Sequence, residues 1–211
     1  MKKFKYYLFD FDGTLIDSFP SLYVVFKRAY EAVGITIKNE DVPYLSRVPL
    51  FEGYERFNAP NDKESIEKFS KAIVDALDSE EALVLTELFH DSLEFFYYVE
   101  TNNIPCGIVT SNRIKHVKEV LDYFSINPDI FKVIVGNELT KKTKPDPEPV
   151  NVALKLLNYQ GDKKDIVYVG DSYNDCLAGI NAGVSVLLLD RGDNFDSPYP
   201  SIKSLMELFN N

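Results

Sequence analysis

Two aspartates stand two residues apart, directly after the first apolar run of this 211-residue chain. Asp10 and Asp12 follow Tyr6-Tyr7-Leu8-Phe9, a segment typical of a short buried strand. Side chains two apart on a strand share a face, so both carboxylates enter one small volume if the extended backbone continues. Adjacent anions repel, which favours a protonated carboxyl or a cation between them. A capped turn, in which Asp12 only accepts backbone hydrogen bonds, explains this segment equally well.

The same pattern of a strand followed by an acid returns downstream. Ile166-Val167-Tyr168-Val169 leads into Gly170 and Asp171, and Asp175 lies one helical turn later. Asp171 is thus a third carboxylate at the end of a predicted buried strand. Taken alone, Asp171 could be the N-cap of a helix over Tyr173 to Ala182, with Asp175 as a first-turn charge favoured by the helix dipole.

Hydroxyl and amide groups follow a further apolar run. Ile108-Val109 leads into Thr110, Ser111 and Asn112 before a predicted helix. Hydroxyls and free N–H groups at a helix start suit a phosphate group. An ordinary N-cap by Ser111 or Asn112 is compatible with the same pattern.

A lysine lies in a proline-rich segment between these motifs. Lys144 stands in Lys144-Pro145-Asp146-Pro147-Glu148-Pro149, where three prolines fix φ and favour a stiff, extended approach to the next helix. A lysine held in this way could be aimed at a site, whereas a loop lysine is usually solvated. Lys141 and Lys142 have no such constraint.

Apolar runs predict strands that alternate with helices. Such alternation favours an α/β fold with a mainly parallel sheet covered on both faces. Before the second strand, periodic apolar residues predict a helical insertion, starting near Pro20-Ser21. The strands are expected near 5–10, 106–110, 131–136, 166–170 and 185–189, and helical patterns run through Leu22 to Val33, Ile66 to Leu77, and Leu85, Leu88 and Phe89.

In this order, the motifs resemble those of the haloacid dehalogenase superfamily of phosphotransferases. The likeness spans residues 6 to about 190 and is greatest to its phosphoglycolate phosphatase and β-phosphoglucomutase branch. One departure is visible: the Pro-Gly often found where the chain re-enters the core reads Phe89-His90-Asp91 here. The motifs are Asp10-x-Asp12-Gly13-Thr14, Thr110-Ser111-Asn112, Lys144-Pro145-Asp146-Pro147 and Gly170-Asp171-x-x-x-Asp175.

The resemblance implies a fold and a domain division. The fold is a Rossmann-like, doubly wound, mainly parallel sheet with an inserted α-helical cap. Residues 1–15 and 88–211 would form the phosphotransferase core, and residues 16–87 the cap. Within the cap, Arg47 suits a second anionic group on the substrate, although an exposed arginine is an equally good interpretation.

The resemblance also implies a reaction and roles for the motif residues. Asp10 would attack phosphorus to give an aspartyl-phosphate, and Asp12 would be the general acid and then the base. Thr110 and Lys144 would hold the phosphoryl oxygens, assisted by the backbone of Ser111 and Asn112. A Mg²⁺ ion would be held by Asp10, the Asp12 carbonyl and Asp171, with Asp175 as an indirect or water-mediated partner.

The implied function is therefore a Mg²⁺-dependent phosphatase that hydrolyses a small phosphorylated metabolite. Phosphoglycolate phosphatase is its expected model. A sugar-phosphate mutase with the same catalytic set, or a catalytically idle binding module on the same fold, remains an alternative.

Composition narrows the classes of partner. A formal net charge of -10 argues against nucleic acid, because phosphate backbones need a basic surface. Hydrophobic residues at 45% and aromatic residues at 13% argue against disorder.

The two cysteines, Cys106 and Cys176, are too few for a disulfide framework, so a reducing cytoplasm is expected. No signal peptide or membrane span is expected, and the oligomeric state is open.

Overall fold

A computed structural model describes residues 3–46, 48, 50–192 and 197–209. The chain forms two compact units. Met1–Asp17 and Leu88–Asn211 form an α/β unit, and Ser18–Glu87 form a helical unit.

The α/β unit is built on a parallel sheet. Its described strands are ordered β3-β2-β1-β4-β5-β6, and every neighbouring pair is parallel. The residues of β2 and β4 are buried throughout, as expected for strands covered on both faces. The strands are β1 Tyr6–Phe9, β2 Cys106–Val109, β3 Phe131–Val135, β4 Ile166–Gly170, β5 Ser185–Leu189 and β6 Ser201–Ile202.

Helices cover this sheet. Ala153 and Leu154 pack with Ala178 and Ala182 against the buried side chains of the strands. Aromatic side chains also join the sheet to the helix that begins at His90, where the Phe9 and Phe95 ring centroids lie 4.9 Å apart. The α-helices of this unit are α6 His90–Asn102, α7 Ile114–Tyr123, α8 Glu148–Leu156 and α9 Tyr173–Ala182. A parallel sheet flanked by helices confirms the predicted α/β, Rossmann-like fold.

One helical pattern was wrong. Leu85, Leu88 and Phe89 do not lie on a helix. Ser79 caps a short helix whose last residue is Val84, and Phe89 has extended backbone as the N-cap of α6. The strand β6 was missed because two residues are too few for an alternating pattern.

The helical unit has an aromatic core of its own. Its two longest helices are those predicted from apolar periodicity, and the buried rings of Tyr30, Tyr54 and Phe69 meet between its helices. Arg47 lies outside the described residues, so its suggested contact with substrate stays a prediction, as does the role of this unit as a cap. The helices are α1 Phe19–Glu31, α2 Val42–Leu45, α3 Leu50–Arg56, α4 Lys63–Leu77 and α5 Glu80–Val84.

No helix within the described ranges has both the length and the apolar character needed to cross a bilayer.

Candidate active site

The carboxyl ends of three neighbouring strands bring the predicted residues together. Phe9 pairs with Ile108 of β2 and with Val169 of β4. Directly after these strands stand Asp10, Thr110 and Asp171. The strand order reverses at β1, with β2 and β3 on one side of it and β4, β5 and β6 on the other. Open α/β sheets bind their ligands at the carboxyl ends of the strands beside such a reversal.

Three carboxylates converge at this edge. Asp10, Asp171 and Asp175 each present an oxygen, and these oxygens all lie within 4.8 Å of one another. Asp10 and Asp175 are buried, and Asp171 is half-buried. Asp10 thus meets the acids that follow β4. The expectation that Asp10 and Asp12 share one volume required the strand to continue past Phe9, but β1 ends there, and Asp12 is not a member of this group.

Lys144 lies inside this acidic cluster. Its Nζ is 2.7 Å from Asp10 Oδ1 and 2.6 Å from Asp175 Oδ1, and its side chain is 9% exposed. Lys142, by contrast, has a 69% exposed side chain that pairs with Asp146 on the surface. The interpretation of Lys144 as an ordinary solvated lysine does not fit this position.

The loop that carries Lys144 is braced by backbone contacts. Glu148 accepts hydrogen bonds from the N–H groups of Lys141 and Lys142. Asn181 of α9 donates to the carbonyl of Pro145. These contacts, together with the prolines, hold the lysine in its position.

Asp175 has protein partners on both carboxylate oxygens. Oδ1 meets Lys144 Nζ and the Tyr168 hydroxyl at 3.0 Å, and Oδ2 accepts from the Ser172 N–H at 3.1 Å. Ser172, not Asp171, is the N-cap of α9, and it forms a capping box with Asp175. Asp175 thus orients Lys144 and the start of α9, and its part as an indirect metal partner stays a prediction.

Asp171 is held by the loop after β1. The Thr14 hydroxyl donates to Asp171 Oδ1 at 3.0 Å. A Cβ on Gly13 would lie 2.5 Å from Asp171 Oδ2, and Gly13 has a φ of +76°. Glycine is required here for both reasons, because a side chain would be strained and would collide with the carboxylate.

Asp12 lies opposite the loop after β2. Its Oδ2 accepts a hydrogen bond of 2.7 Å from Asn112 Nδ2, which fixes the orientation of the carboxylate. Thr110 is buried, and its Oγ1 accepts from the Asn112 N–H at 3.0 Å. Ser111 is exposed at the surface of the same loop.

The start of α7 is capped from another segment. Arg113, rather than Ser111 or Asn112, stands at the N-cap position. Glu138, from the segment after β3, accepts from the Ile114 N–H at 2.9 Å, and Asn137 Nδ2 donates to the Ser111 carbonyl. These two residues were missed in the sequence, because only the fold brings them to this loop.

The charges of the cluster do not balance. Three carboxylates face one ammonium group, which leaves an excess of two negative charges if all are ionised. Burial raises the pKa of Asp10 well above its ordinary value, nearby Asp175 and Asp171 add to this, and Lys144 opposes it. Burial and the Asp175 charge raise the pKa of Asp171 to about 6.

Lys144 keeps its proton in this setting. Burial alone would lower its pKa, but the carboxylates of Asp10 and Asp175 raise it well above the ordinary value. Three carboxyl groups against one ammonium group form an oxygen donor set that fits a divalent hard cation such as Mg²⁺, whose charge would favour the ionised carboxylates.

An ion pair between Arg191 and Asp91 lies beside this site in the α/β unit. Arg191 Nη1 is 2.6 Å from Asp91 Oδ1, and its Nη2 donates to the Thr14 carbonyl at 2.5 Å. Asp91 also accepts from the Leu205 N–H through its other oxygen. Sequence reasoning missed this pair, because the two side chains are 100 residues apart.

Asp91 is expected to make stability depend on pH in acid. Burial would raise its pKa, but hydrogen bonds from Arg191 and the Leu205 N–H hold this pKa below the ordinary value of an aspartate. A lowered carboxyl pKa adds stability above the unfolded value, and this stability is lost as pH falls through the folded value. In urea unfolding between about pH 5 and pH 3, Asp91→Asn should therefore lose less stability than the native chain. An equal loss in both proteins would contradict the assignment.

Comparison with known proteins agrees with this geometry. A model of the haloacid dehalogenase-like hydrolase family matches residues 7–189. The chain is 29% identical to the phosphoglycolate phosphatase of Psychrobacter arcticus, with 89% of this chain and 84% of that protein covered. It is 32% identical to the pyrophosphatase PpaX of Bacillus velezensis, with 83% and 78% covered.

A solved structure extends the likeness to the whole fold. A Bacteroides fragilis protein of the haloacid dehalogenase-like type superposes with a TM-score of 0.83 at 27% identity, covering 98% of this chain and all of that one. Sequence, fold and relatives thus agree with the family and the enzyme class that the four motifs predicted. The chain belongs to the haloacid dehalogenase-like hydrolase family, and it is an enzyme of the phosphatase class.

Proposed function

We propose that the chain is a Mg²⁺-dependent phosphatase that hydrolyses a small phosphorylated metabolite through a phosphorylated Asp10. The observation that carries this proposal is the cluster of Asp10, Asp171 and Asp175, in which three carboxyl groups share the single ammonium group of Lys144. A phosphate ester brings about two further negative charges, so a cation is needed before the ester can approach the carboxylates.

Asp10 is the proposed nucleophile. A carboxylate oxygen of Asp10 forms a bond to phosphorus while the bond from phosphorus to the ester oxygen breaks. Lys144 and the Thr110 hydroxyl hold the phosphoryl oxygens as the charge redistributes. Mg²⁺, when bound by Asp10, the Asp12 carbonyl and Asp171, neutralises the charge between ester and carboxylates.

Asp12 is the proposed proton carrier. It gives its proton to the leaving ester oxygen, and in the second step it takes a proton from the water that attacks phosphorus. Breakage of the bond between phosphorus and Asp10 then releases phosphate, restores the Asp10 carboxylate and leaves Asp12 protonated for the next leaving group. The hydrogen bond from Asn112 supports this role, because it fixes the orientation of the Asp12 carboxylate through one of its two oxygens.

Two substrate classes have support from relatives. The likeness to the phosphoglycolate phosphatase of Psychrobacter arcticus favours a short phosphorylated carboxylic acid as the substrate of this chain. The likeness to the pyrophosphatase PpaX of Bacillus velezensis favours pyrophosphate. We propose the first as the leading candidate and the second as its competitor. The proposed setting is a reducing cytoplasm, on the basis of two free, buried cysteines.

A hydrolysis screen tests the function. Phosphorylated metabolites, including 2-phosphoglycolate and pyrophosphate, are incubated with and without Mg²⁺, and Asp10→Asn serves as the blank. Mg²⁺-dependent phosphate release by the native chain alone supports the proposal. Transfer of phosphate to a second site on a sugar phosphate would identify a mutase instead. No phosphate release from any substrate would favour a catalytically idle binding module.

Asp12→Asn separates the leaving-group step from the rest. The variant should turn over alkyl phosphates about 10²- to 10⁴-fold more slowly, because no acid protonates the leaving alkoxide. Formation of the phosphoenzyme from a nitrophenyl phosphate should be much less affected, since its leaving group needs no proton. The measurement compares single-turnover rates for the two classes, and equal losses in both would remove Asp12 from the acid role.

A further inference from the structure

Arg191 connects segments of the α/β unit that are far apart in sequence. It lies two residues after β5, and its side chain is 16% exposed. Besides its bonds to Asp91 and to the Thr14 carbonyl, its guanidinium carbon lies 3.9 Å from the centroid of the Phe89 ring. Phe89 and Asp91 belong to the segment that departs from the family pattern, so that segment has a specific partner.

The bond to Thr14 leads directly to the acidic cluster. Thr14 is fully buried, and its hydroxyl donates to Asp171 Oδ1. Its carbonyl receives the Arg191 bond, so the two polar ends of one residue connect Arg191 to Asp171. Thr14 belongs to the tight turn in which the Phe11 carbonyl accepts from the N–H groups of Leu15 and Ile16.

The arrangement is better suited to positioning than to stability alone. A buried ion pair is weak evidence for stability, because desolvation offsets much of its attraction. Arg191 Nε is buried and has no hydrogen-bond partner among the described residues, which adds to that cost. Asp91 is itself fixed by the Leu205 N–H, so Arg191 meets an acceptor that is already oriented.

We propose that Arg191, held by Asp91 and Phe89, is a positioning residue that fixes Thr14 and, through Thr14, the Asp171 carboxylate. This inference rests on the proposed function, in which Asp171 is a direct Mg²⁺ ligand. Residues that orient a ligand typically change metal affinity or activity by about 10- to 100-fold when they are removed.

Arg191→Met is the principal test. Methionine keeps an apolar side chain against Phe89 but removes both hydrogen bonds. Mg²⁺ is titrated by calorimetry into the protein without substrate, and steady-state kinetics give the Mg²⁺ requirement separately from the KM for substrate. The variant should bind Mg²⁺ about tenfold more weakly, with a smaller change in KM. Asp91→Asn should shift Mg²⁺ affinity in the same direction by less.

Two comparisons separate positioning from loss of stability. Val99→Ala opens a small cavity at a buried position on α6, the helix that also carries Asp91. It should lower the thermal midpoint without changing Mg²⁺ affinity. Arg191→Lys keeps the charge but not the planar pair of donors, so it should restore part of the affinity and serves if Arg191→Met does not fold.

The path through Thr14 is tested by a double variant. Thr14→Val removes the hydroxyl at nearly constant shape, and Thr14→Ser keeps it. If Arg191 acts through Thr14, then Arg191→Met should weaken Mg²⁺ binding little further in the Thr14→Val background. Full additivity would overturn the inference.

Failure of this inference differs from failure of the proposed function. Mg²⁺ binding and Mg²⁺-dependent hydrolysis by the native chain, with unchanged Mg²⁺ affinity in Arg191→Met and Arg191→Lys, would overturn the role of Arg191 alone. A native chain that neither binds Mg²⁺ nor hydrolyses any phosphate ester would overturn the proposed function, and with it this inference.

Discussion

Asp10→Asn is expected to abolish turnover while the protein stays folded. The amide keeps the shape of the carboxylate but cannot attack phosphorus, and loss of a nucleophile typically costs about 10⁴-fold or more. Lys144 keeps Asp175 as a partner at 2.6 Å, so the buried ammonium is not left alone. The measurement is Mg²⁺-dependent phosphate release, with circular dichroism to confirm the fold.

The matched control is the same chemical change at an exposed position. Asp122 is exposed in the last turn of α7, at the opposite end of the helix from Asn112, so Asp122→Asn should retain native turnover. Residual activity of Asp10→Asn within about tenfold of the native chain would remove Asp10 from the nucleophile role.

Lys144→Ala is expected to lower turnover by about 10³-fold. The ammonium lies 2.7 Å from Asp10 Oδ1, and in the proposed mechanism its loss removes a donor to the phosphoryl oxygens. It also leaves two buried carboxylates without their partner, so the free energy of unfolding should fall by about 3 kcal/mol. Turnover is measured at saturating Mg²⁺ and stability by urea unfolding.

The neighbouring lysines supply the controls for this variant. Lys141 and Lys142 are exposed, and the side chain of Lys142 forms a surface ion pair with Asp146, so Lys141→Ala and Lys142→Ala should change turnover little. Combining Lys144→Ala with Asp171→Ala should cost far less than the sum of the two separate losses, because both residues act on one charge cluster. If Lys144→Ala matches the two control variants, the proposed role of the proline-rich motif is wrong.

The site residues that could be predicted from the sequence each lie in a recognisable local pattern. An apolar run followed by Asp10, Thr110 or Asp171 marks the carboxyl end of a strand, and parallel neighbours bring such ends together. Lys144 could be distinguished from Lys141 and Lys142 because only its loop is stiffened by prolines.

The remaining contacts depend on packing between distant segments. Arg191 and Thr14 are 177 residues apart, and Glu138 reaches Ile114 across 24 residues. Neither spacing follows a helix or strand period, so no sequence pattern marks these pairs. The error at Leu85 to Phe89 has a related cause, since a few apolar residues with helical spacing do not reveal the capped break between α5 and α6.

Chemical trapping of the phosphoenzyme tests the central claim most directly. The native chain is mixed with Mg²⁺ and 2-phosphoglycolate, or with a nitrophenyl phosphate, quenched during turnover and reduced with borohydride, which converts an acyl phosphate to an alcohol. Peptide mapping by mass spectrometry should find the reduced side chain at Asp10, only when substrate and Mg²⁺ are both present. Product formation with Asp10 unmodified, or with the reduced group on another carboxylate, would contradict the proposed mechanism.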